Sequence, residues 1–327
     1  MTVTMTAGQP LRPEHFLAHA AQIEAIRMRI VLIRITGHQI GRSPAVFGRH
    51  SGSFPDALHA RYARQDELMA RLQENLMRAV GGMRRVATGK AQLAQLAAAD
   101  STSPGGEHAT SGEPSAGEVT DDLLGHIARR EWVDGWLSHS AAIAAPARAG
   151  SYDSTLRATA VNAATAGIDA LRQLLEDVTG TPPVITHRAN CWSAMSQELY
   201  GVSDDLRRCL ERDFTGRDHP GVHAYVTIMA DNVWSLRAAG AAASALAVAI
   251  TAAGDLIVLT RDTIRGLVGE LCTDVIVRSA DAQPVAVRTL AARIAETVWR
   301  IHTYVNALTV SLTNLSACLG GDDVDEQ

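Results

Sequence analysis

Long series of apolar residues at three- and four-residue intervals constrain the fold of this chain more than any other feature. One series runs through 185–210 and another through 287–315. Such spacing lines one face of an α-helix, whereas a strand alternates at every second residue. Aromatic residues, which favour strands, make up only 4% of the chain. The pattern predicts an all-α fold, an elongated helical bundle built from antiparallel helical hairpins.

Seven helical segments are expected from these series. The first covers 13–37, and the second begins near Asp56 and carries a heptad seam typical of coiled-coil packing. The others cover 119–145, 151–178, 185–210, 222–277 and 287–315. At about 1.5 Å per residue the segment 222–277 would be roughly 80 Å long. We therefore expect one very long central helix, with a kink at Gly240 or Gly254 as an open alternative.

Composition predicts four consecutive parts. Residues 1–98 form an N-terminal helical hairpin, and 99–118 form a disordered linker of Ser, Thr, Gly, Pro and Glu without large apolar side chains. Residues 119–319 form an alanine-rich helical bundle, and 320–327 form an acidic tail.

The charge is divided unevenly along the chain. Residues 1–98 carry thirteen basic and six acidic side chains, a net charge of +7, which leaves −12 of the total of −5 for the remainder. Mutual attraction of the two parts explains this division. A basic arm for nucleic acid or anionic lipid is the alternative, but the glycine-rich and aromatic patterns of RNA and single-strand binding are absent. We expect no nucleic-acid partner.

Targeting signals are equally sparse. The first thirteen residues lack the basic start and apolar core of a secretory signal peptide. The segment 238–260 is long enough to span a bilayer and has Asp255 as its only charge, but it is mostly alanine. A buried helix is therefore the preferred interpretation, and membrane insertion is not expected.

The sequence contains no pattern that points to catalysis. P-loop, dinucleotide-binding, zinc-protease and serine-hydrolase motifs are absent. The four cysteines lack C-x-x-C spacing, so neither a disulfide framework nor a zinc site is expected. The carboxylate pair Glu211 and Asp213 is assigned, like Asp204 and Asp205, to the polar side of a helix. We predict no enzyme activity, no catalytic residue, no cofactor and no metal ligand.

Two Y-x-x-x-D patterns lie on predicted helices. Tyr62 precedes Asp66 by four residues, and Tyr200 precedes Asp204 in a helix that also carries Trp192. Together with the hairpins and alanine-rich helices, these patterns resemble the WXG100-like (ESX-type) family of actinobacterial type VII secretion proteins. The likeness covers half to two thirds of the chain. It departs from the family pattern at 218–221, where the turn reads Asp-His-Pro-Gly and has no W-x-G.

The resemblance implies a non-enzymatic protein of a type VII secretion locus. Proteins of that family are exported as folded helical hairpins without a signal peptide, and they pair lengthwise with a second hairpin. The resemblance implies a hairpin partner or self-association, with the secretion ATPase as a further candidate partner. It marks Tyr62, Asp66, Trp192, Tyr200 and Asp204 as secretion-motif or partner-binding residues. The alternatives are a cytoplasmic helical scaffold or regulator and a membrane-active helical bundle.

Overall fold

A computed structural model of the chain describes residues 12–40, 43–89, 116–138, 177–178, 180–217, 219–279 and 284–320. Within these ranges the backbone forms helices and turns and contains no strand, which confirms the all-α class. The helices are α1 (Pro13–Gln39), a short 3₁₀ helix (Pro44–Phe47), α2 (Phe54–Ala87), α3 (Ala116–Arg129), α4 (Pro182–Phe214), α5 (Pro220–Ser279) and α6 (Pro284–Gly320).

The very long helix predicted over 222–277 is confirmed as α5, which has 60 residues and a length of about 90 Å. It continues as one helix through Gly240 and Gly254, so neither glycine ends it. Each glycine instead makes room for a neighbour. A Cβ at Gly254 would lie 2.8 Å from the Cγ2 of Ile185, and one at Gly240 would lie 3.3 Å from the ring of Tyr200.

Most of the α5 apolar series is buried, as expected for a core helix. In the described part of the chain, the stretch Pro220–Val275 is long and apolar enough to cross a membrane by length and composition alone. However, 56% of its most apolar segment is already covered by the rest of the protein. This burial agrees with the preference for a buried helix.

Contacts divide the chain into two compact units. Unit 1 consists of Met1–Gly41, Ala60–Asp122 and Asn190–Ala247, and unit 2 consists of Arg42–His59, Leu123–Ala189 and Val248–Gln327. Both units draw segments from either side of the predicted linker 99–118. The two units therefore differ from the predicted division into a hairpin over 1–98 and a bundle over 119–319. The elongated hairpin bundle remains a prediction.

In unit 1, α1 and the segments of α2, α4 and α5 that belong to it surround an aliphatic core. Three buried side chains of α2 and α4 donate hydrogen bonds to main-chain carbonyl oxygens of α5. Gln65 donates to Ala239 at 2.8 Å, Ser196 to Gly240 at 2.7 Å, and Ser203 to Val233 at 3.0 Å. Because a buried donor without an acceptor is costly, these bonds specify how far α2 and α4 are shifted along α5.

In unit 2, two glycines allow a close approach of main-chain segments. Gly48 and Gly180 have φ values of 80° and 52°, a region that glycine enters without strain. A Cβ at Gly48 would lie 2.7 Å from the carbonyl oxygen of Asp177, and one at Gly180 would lie 2.6 Å from that of Val46. A hydrogen bond from the Thr181 amide to the Val46 carbonyl, 2.8 Å long, connects the two segments.

The prediction of one helix over 119–145 was wrong. Helix α3 ends at Arg129, and Arg130 adopts a left-handed conformation with φ 57°. A new helical turn begins after Asp134, whose carboxylate accepts a hydrogen bond from the Trp136 amide at 2.9 Å, the geometry of a helix N-cap. Burial of Trp132 and Val133 in the intervening turn accounts for the break.

Several predicted features lie outside the described residues. These are most of the linker 99–118, the helix 151–178 apart from its last two residues, the end of the segment 119–145, and the acidic tail apart from Gly320. The apolar series of α4 and the heptad positions of α2 are described, and they are buried apart from a half-buried Val86.

Two neighbouring residues of α2 test this packing. Leu76 is fully buried, whereas the Met77 beside it is 54% exposed. Leu76→Ala should lower the free energy of unfolding by about 2–5 kcal/mol, because it removes buried methyl groups and leaves a cavity. Met77→Ala should change it by less than about 0.5 kcal/mol. Urea unfolding followed by circular dichroism measures both, and equal effects would contradict the assignment of the buried face.

Candidate functional site

The first Y-x-x-x-D pattern is part of the packed interior of unit 1. Tyr62 is buried and stacks on Trp192, with ring centroids 4.8 Å apart and planes 18° from parallel. Trp192 is also buried, and its indole nitrogen has no hydrogen-bond partner among the described residues. The structure therefore brings two predicted site residues together, but in the core and not on a surface that a partner reaches.

Asp66, the second member of this pattern, joins α2 to α1. Both of its carboxylate oxygens accept hydrogen bonds from Arg34, at 2.9 and 3.1 Å, and the His38 ring lies 3.1 Å from one of them. The hydrogen bonds from Arg34 lower the pKa of Asp66, against the opposing effect of partial burial. Asp66 is thus an internal ion-pair residue of unit 1.

The second Y-x-x-x-D pattern lies on the surface of unit 1. Tyr200 is 41% exposed, with its ring over Gly240 of α5. The Asp204 side chain is 43% exposed and accepts a hydrogen bond from Arg237 at 2.8 Å. Because both residues are accessible, this copy of the pattern is the one available for recognition.

A groove between α4 and α5 begins beside this surface pattern. It has a volume of about 810 Å³. Its apolar lining includes Leu210, Phe214, Val222 and Val233. Trp234 stands at its edge and is 70% exposed, the largest exposed fraction among the large apolar side chains of the described residues. Trp234 was not among the predicted site residues, since the spacing of apolar residues in α5 does not reveal which side of the helix remains uncovered.

Ion pairs form the rim of the groove. Asp204 faces Arg237 at 2.8 Å and Arg207 at 3.9 Å, and Arg207 also pairs with Glu211 at 2.8 Å. All four side chains are 43–56% exposed. An apolar floor with a charged and solvated rim is the usual anatomy of a protein interface.

A second apolar surface runs along α1. Leu17, Met28, Leu32 and Ile35 are separated by 11, 4 and 3 residues, which places them on one side of the helix. Each is between 45% and 60% exposed. This face adds a second candidate region for association with another helix.

A buried polar cluster connects α1 to α4, and sequence reasoning missed it. The Nδ1 of His19 lies 2.6 Å from the Oδ2 of Asp213 and 3.3 Å from the Sγ of Cys209. The Nε2 of His19 lies 3.0 Å from the hydroxyl of Tyr225. The assignment of Asp213 to the polar side of its helix was wrong, because its contacts with His19 and Arg212 draw it into the interior, where it is 7% exposed.

The cluster is not arranged as a catalytic triad. In such a triad the orienting carboxylate and the nucleophile contact different nitrogens of the imidazole ring, whereas here both face Nδ1. Burial, and after it the charge of Asp213, raises the pKa of the Cys209 thiol to about 12. A protonated buried thiol is a poor nucleophile, so burial of Cys209 does not favour thiolate catalysis.

Comparison of the chain with models of known protein families, with curated proteins and with solved structures finds no match. Functional inference therefore depends on the surfaces and the cluster described above.

The Arg34–Asp66 pair generates a pH-dependent prediction. Since folding lowers the pKa of Asp66, the stability it contributes is complete above its unfolded pKa, roughly 4, and is lost as the pH falls through the folded pKa. Asp66→Asn should lower the free energy of unfolding by about 1 kcal/mol at pH 7. The difference in unfolding free energy between wild type and variant should shrink progressively in acid, as measured by urea unfolding between pH 7 and pH 2.5.

Glu67→Gln is the matched control. Glu67 neighbours Asp66, is 62% exposed and, in the part of the chain that the structure describes, pairs with Arg71 of its own helix. Glu67→Gln should lower the free energy of unfolding by less than about 0.5 kcal/mol at any pH. If Asp66→Asn lowered the free energy of unfolding equally at every pH, the stabilising role of the ionised carboxylate would be contradicted.

Proposed function

We propose that this chain is a non-enzymatic helical protein of a type VII secretion locus, either a secreted substrate or an adaptor of secretion. In this proposal it acts through helix–helix contacts made by the α4–α5 surface, defined by Tyr200, Asp204 and Trp234 and by the adjoining groove. The single observation that carries the proposal is the joint exposure of Tyr200 and Asp204 beside an uncovered tryptophan and an apolar groove.

The chemistry of this surface favours a helical partner. An amphipathic helix binds by placing its apolar side chains into a hydrophobic groove, while its polar side chains meet the charged rim. Tryptophan, tyrosine and arginine are the side chains most often responsible for the binding energy of such interfaces. Trp234 and Arg237 both line the groove, Arg237 pairs with Asp204, and the ring of Tyr200 lies over Gly240 of the same helix α5. The partner is thus a helical hairpin protein or a second copy of the chain.

Tyr62, Asp66 and Trp192 take a different role in this proposal. Their side chains hold unit 1 together, so substitutions there would affect export only by disturbing the fold. The export signal is assigned to Tyr200 and Asp204 alone.

Fractionation of the native host tests the proposal. The wild-type chain should accumulate in the culture filtrate only when the type VII membrane ATPase is present. Tyr200→Ala combined with Asp204→Ala should abolish this accumulation while the purified protein keeps its helicity, because both side chains are solvent-exposed and pair only weakly. Retention of the wild type in the cytosol of both strains would overturn export and favour the cytoplasmic scaffold.

Val310→Ala supplies the control for surface substitution. Val310 is 39% exposed on α6 in unit 2 and does not line the groove. Its variant should be exported as the wild type is. Equal loss of export from this variant would show that the α4–α5 surface has no special role.

A further inference from the structure

The buried cluster of unit 1 brings together three atoms that are common metal ligands in proteins. Three atoms with lone pairs, the Nδ1 of His19, the Sγ of Cys209 and the Oδ2 of Asp213, converge and lie within 4.8 Å of one another. A ring nitrogen carries at most one proton and so serves only one of its two neighbours as a donor. Imidazole, thiolate and carboxylate are also the three ligand types that zinc takes in proteins.

We infer that His19, Cys209 and Asp213 form a binding site for a zinc-type divalent cation, which would connect α1 to α4 within unit 1. Cys209 and Asp213 are four residues apart on α4, so they project from one face of the helix. His19 approaches them from α1. The three residues are 1%, 4% and 7% exposed, so the site is enclosed by protein.

The distances suit a tetrahedral ion. Zinc bonds of 2.0–2.3 Å at tetrahedral angles require ligand atoms about 3.4–3.6 Å apart. The sulfur already lies 3.3 Å from the histidine nitrogen and 3.5 Å from the carboxylate oxygen. The nitrogen–oxygen distance, 2.6 Å, and the distance from the sulfur to Gln22 Oε1, 3.0 Å, must lengthen, which rotations of the Asp213 carboxylate and the Gln22 amide provide. Gln22 Oε1 supplies the fourth ligand once it gives up the hydrogen bond that it accepts from Arg212.

The surroundings match what a metal-bound histidine and carboxylate need. A ligating imidazole usually donates its other N–H to a neighbour, and the hydroxyl of Tyr225 lies 3.0 Å from Nε2 of His19. Arg212 donates to the Oδ1 of Asp213 at 2.8 Å, which orients the carboxylate. Carboxylate and thiolate together balance the charge of a divalent cation. The exposed guanidinium of Arg212, whose Nη2 donates to Asp213 Oδ2 at 3.2 Å and to Gln22 Oε1, must turn towards solvent to admit the ion.

Binding replaces a proton by the ion. The sulfur of Cys209 loses its proton to solvent as the sulfur–metal bond forms, and the His19 nitrogen contributes a lone pair without change of oxidation state. The ion enters past Gln22 and Arg212, which are half-buried and exposed, respectively.

Cobalt titration of the full, reduced, chelator-treated chain tests the site. One Co²⁺ per chain should bind, with the ultraviolet sulfur-to-cobalt charge-transfer band and the visible bands of a four-coordinate ion, and zinc should displace it. Zinc at a 100-fold excess over its Kd should raise Tm by about 5 °C. Absence of the charge-transfer band in the wild type would overturn the proposal and leave the cluster as a buried ion pair.

Two cysteine variants distinguish this site from adventitious binding. Cys209→Ser should abolish the charge-transfer band. It should also weaken Co²⁺ binding by more than the roughly 10–100-fold that is typical when a residue supporting a metal ligand is lost. Cys191→Ser, eighteen residues earlier on the same helix, should bind as the wild type does. A band that persists in the first variant, or that disappears in the second, would assign the metal to another place and overturn the proposal.

Discussion

Unit 1 depends on the way α2 and α4 bind the backbone of α5. An alanine-rich helix offers few large side chains to interlock, so its neighbours approach closely and contact main-chain carbonyl oxygens. Gln65, Ser196 and Ser203 each donate a hydrogen bond to such an oxygen from a buried position. Displacing α2 or α4 by half a helical turn would take these donors away from the α5 carbonyl oxygens and leave them unsatisfied in an apolar interior, at about 1–3 kcal/mol each. Directional bonds thus supply the specificity that small apolar side chains lack.

This register determines the environment of every candidate motif. With α4 fixed against α5, the ring of Tyr200 lies over Gly240, where the absence of a Cβ gives it space at the surface. With α2 fixed against the same helix, Tyr62 meets Trp192 in the core. Two identical sequence patterns therefore acquire opposite roles. One stabilises the interior, and the other remains exposed beside Trp234 and the groove.

Local patterns were sufficient to predict α1, α2, α4, α5 and α6 and much of their buried faces. The spacing of Leu199, Val202 and Leu206 revealed a core-facing stripe because helical periodicity is a property of neighbouring residues. The end of α3 was missed because it depends on the cap at Asp134 and on tertiary burial of Trp132. The cluster was also hidden, since His19 and Cys209 are 190 residues apart in sequence. Nothing local indicates that two such residues meet, nor which of two Y-x-x-x-D patterns is covered.

Burial separates the two Y-x-x-x-D patterns, and hydroxyl-radical footprinting with mass spectrometry measures this difference on the purified chain. Side-chain oxidation depends on solvent access, so each pattern reports on itself within a single sample. The account predicts rapid oxidation of Tyr200 and Trp234 and strong protection of Tyr62 and Trp192. Rapid oxidation of Tyr62 and Trp192 with protection of Tyr200 would contradict it, because the register of α2 and α4 on α5 would then differ from the one described.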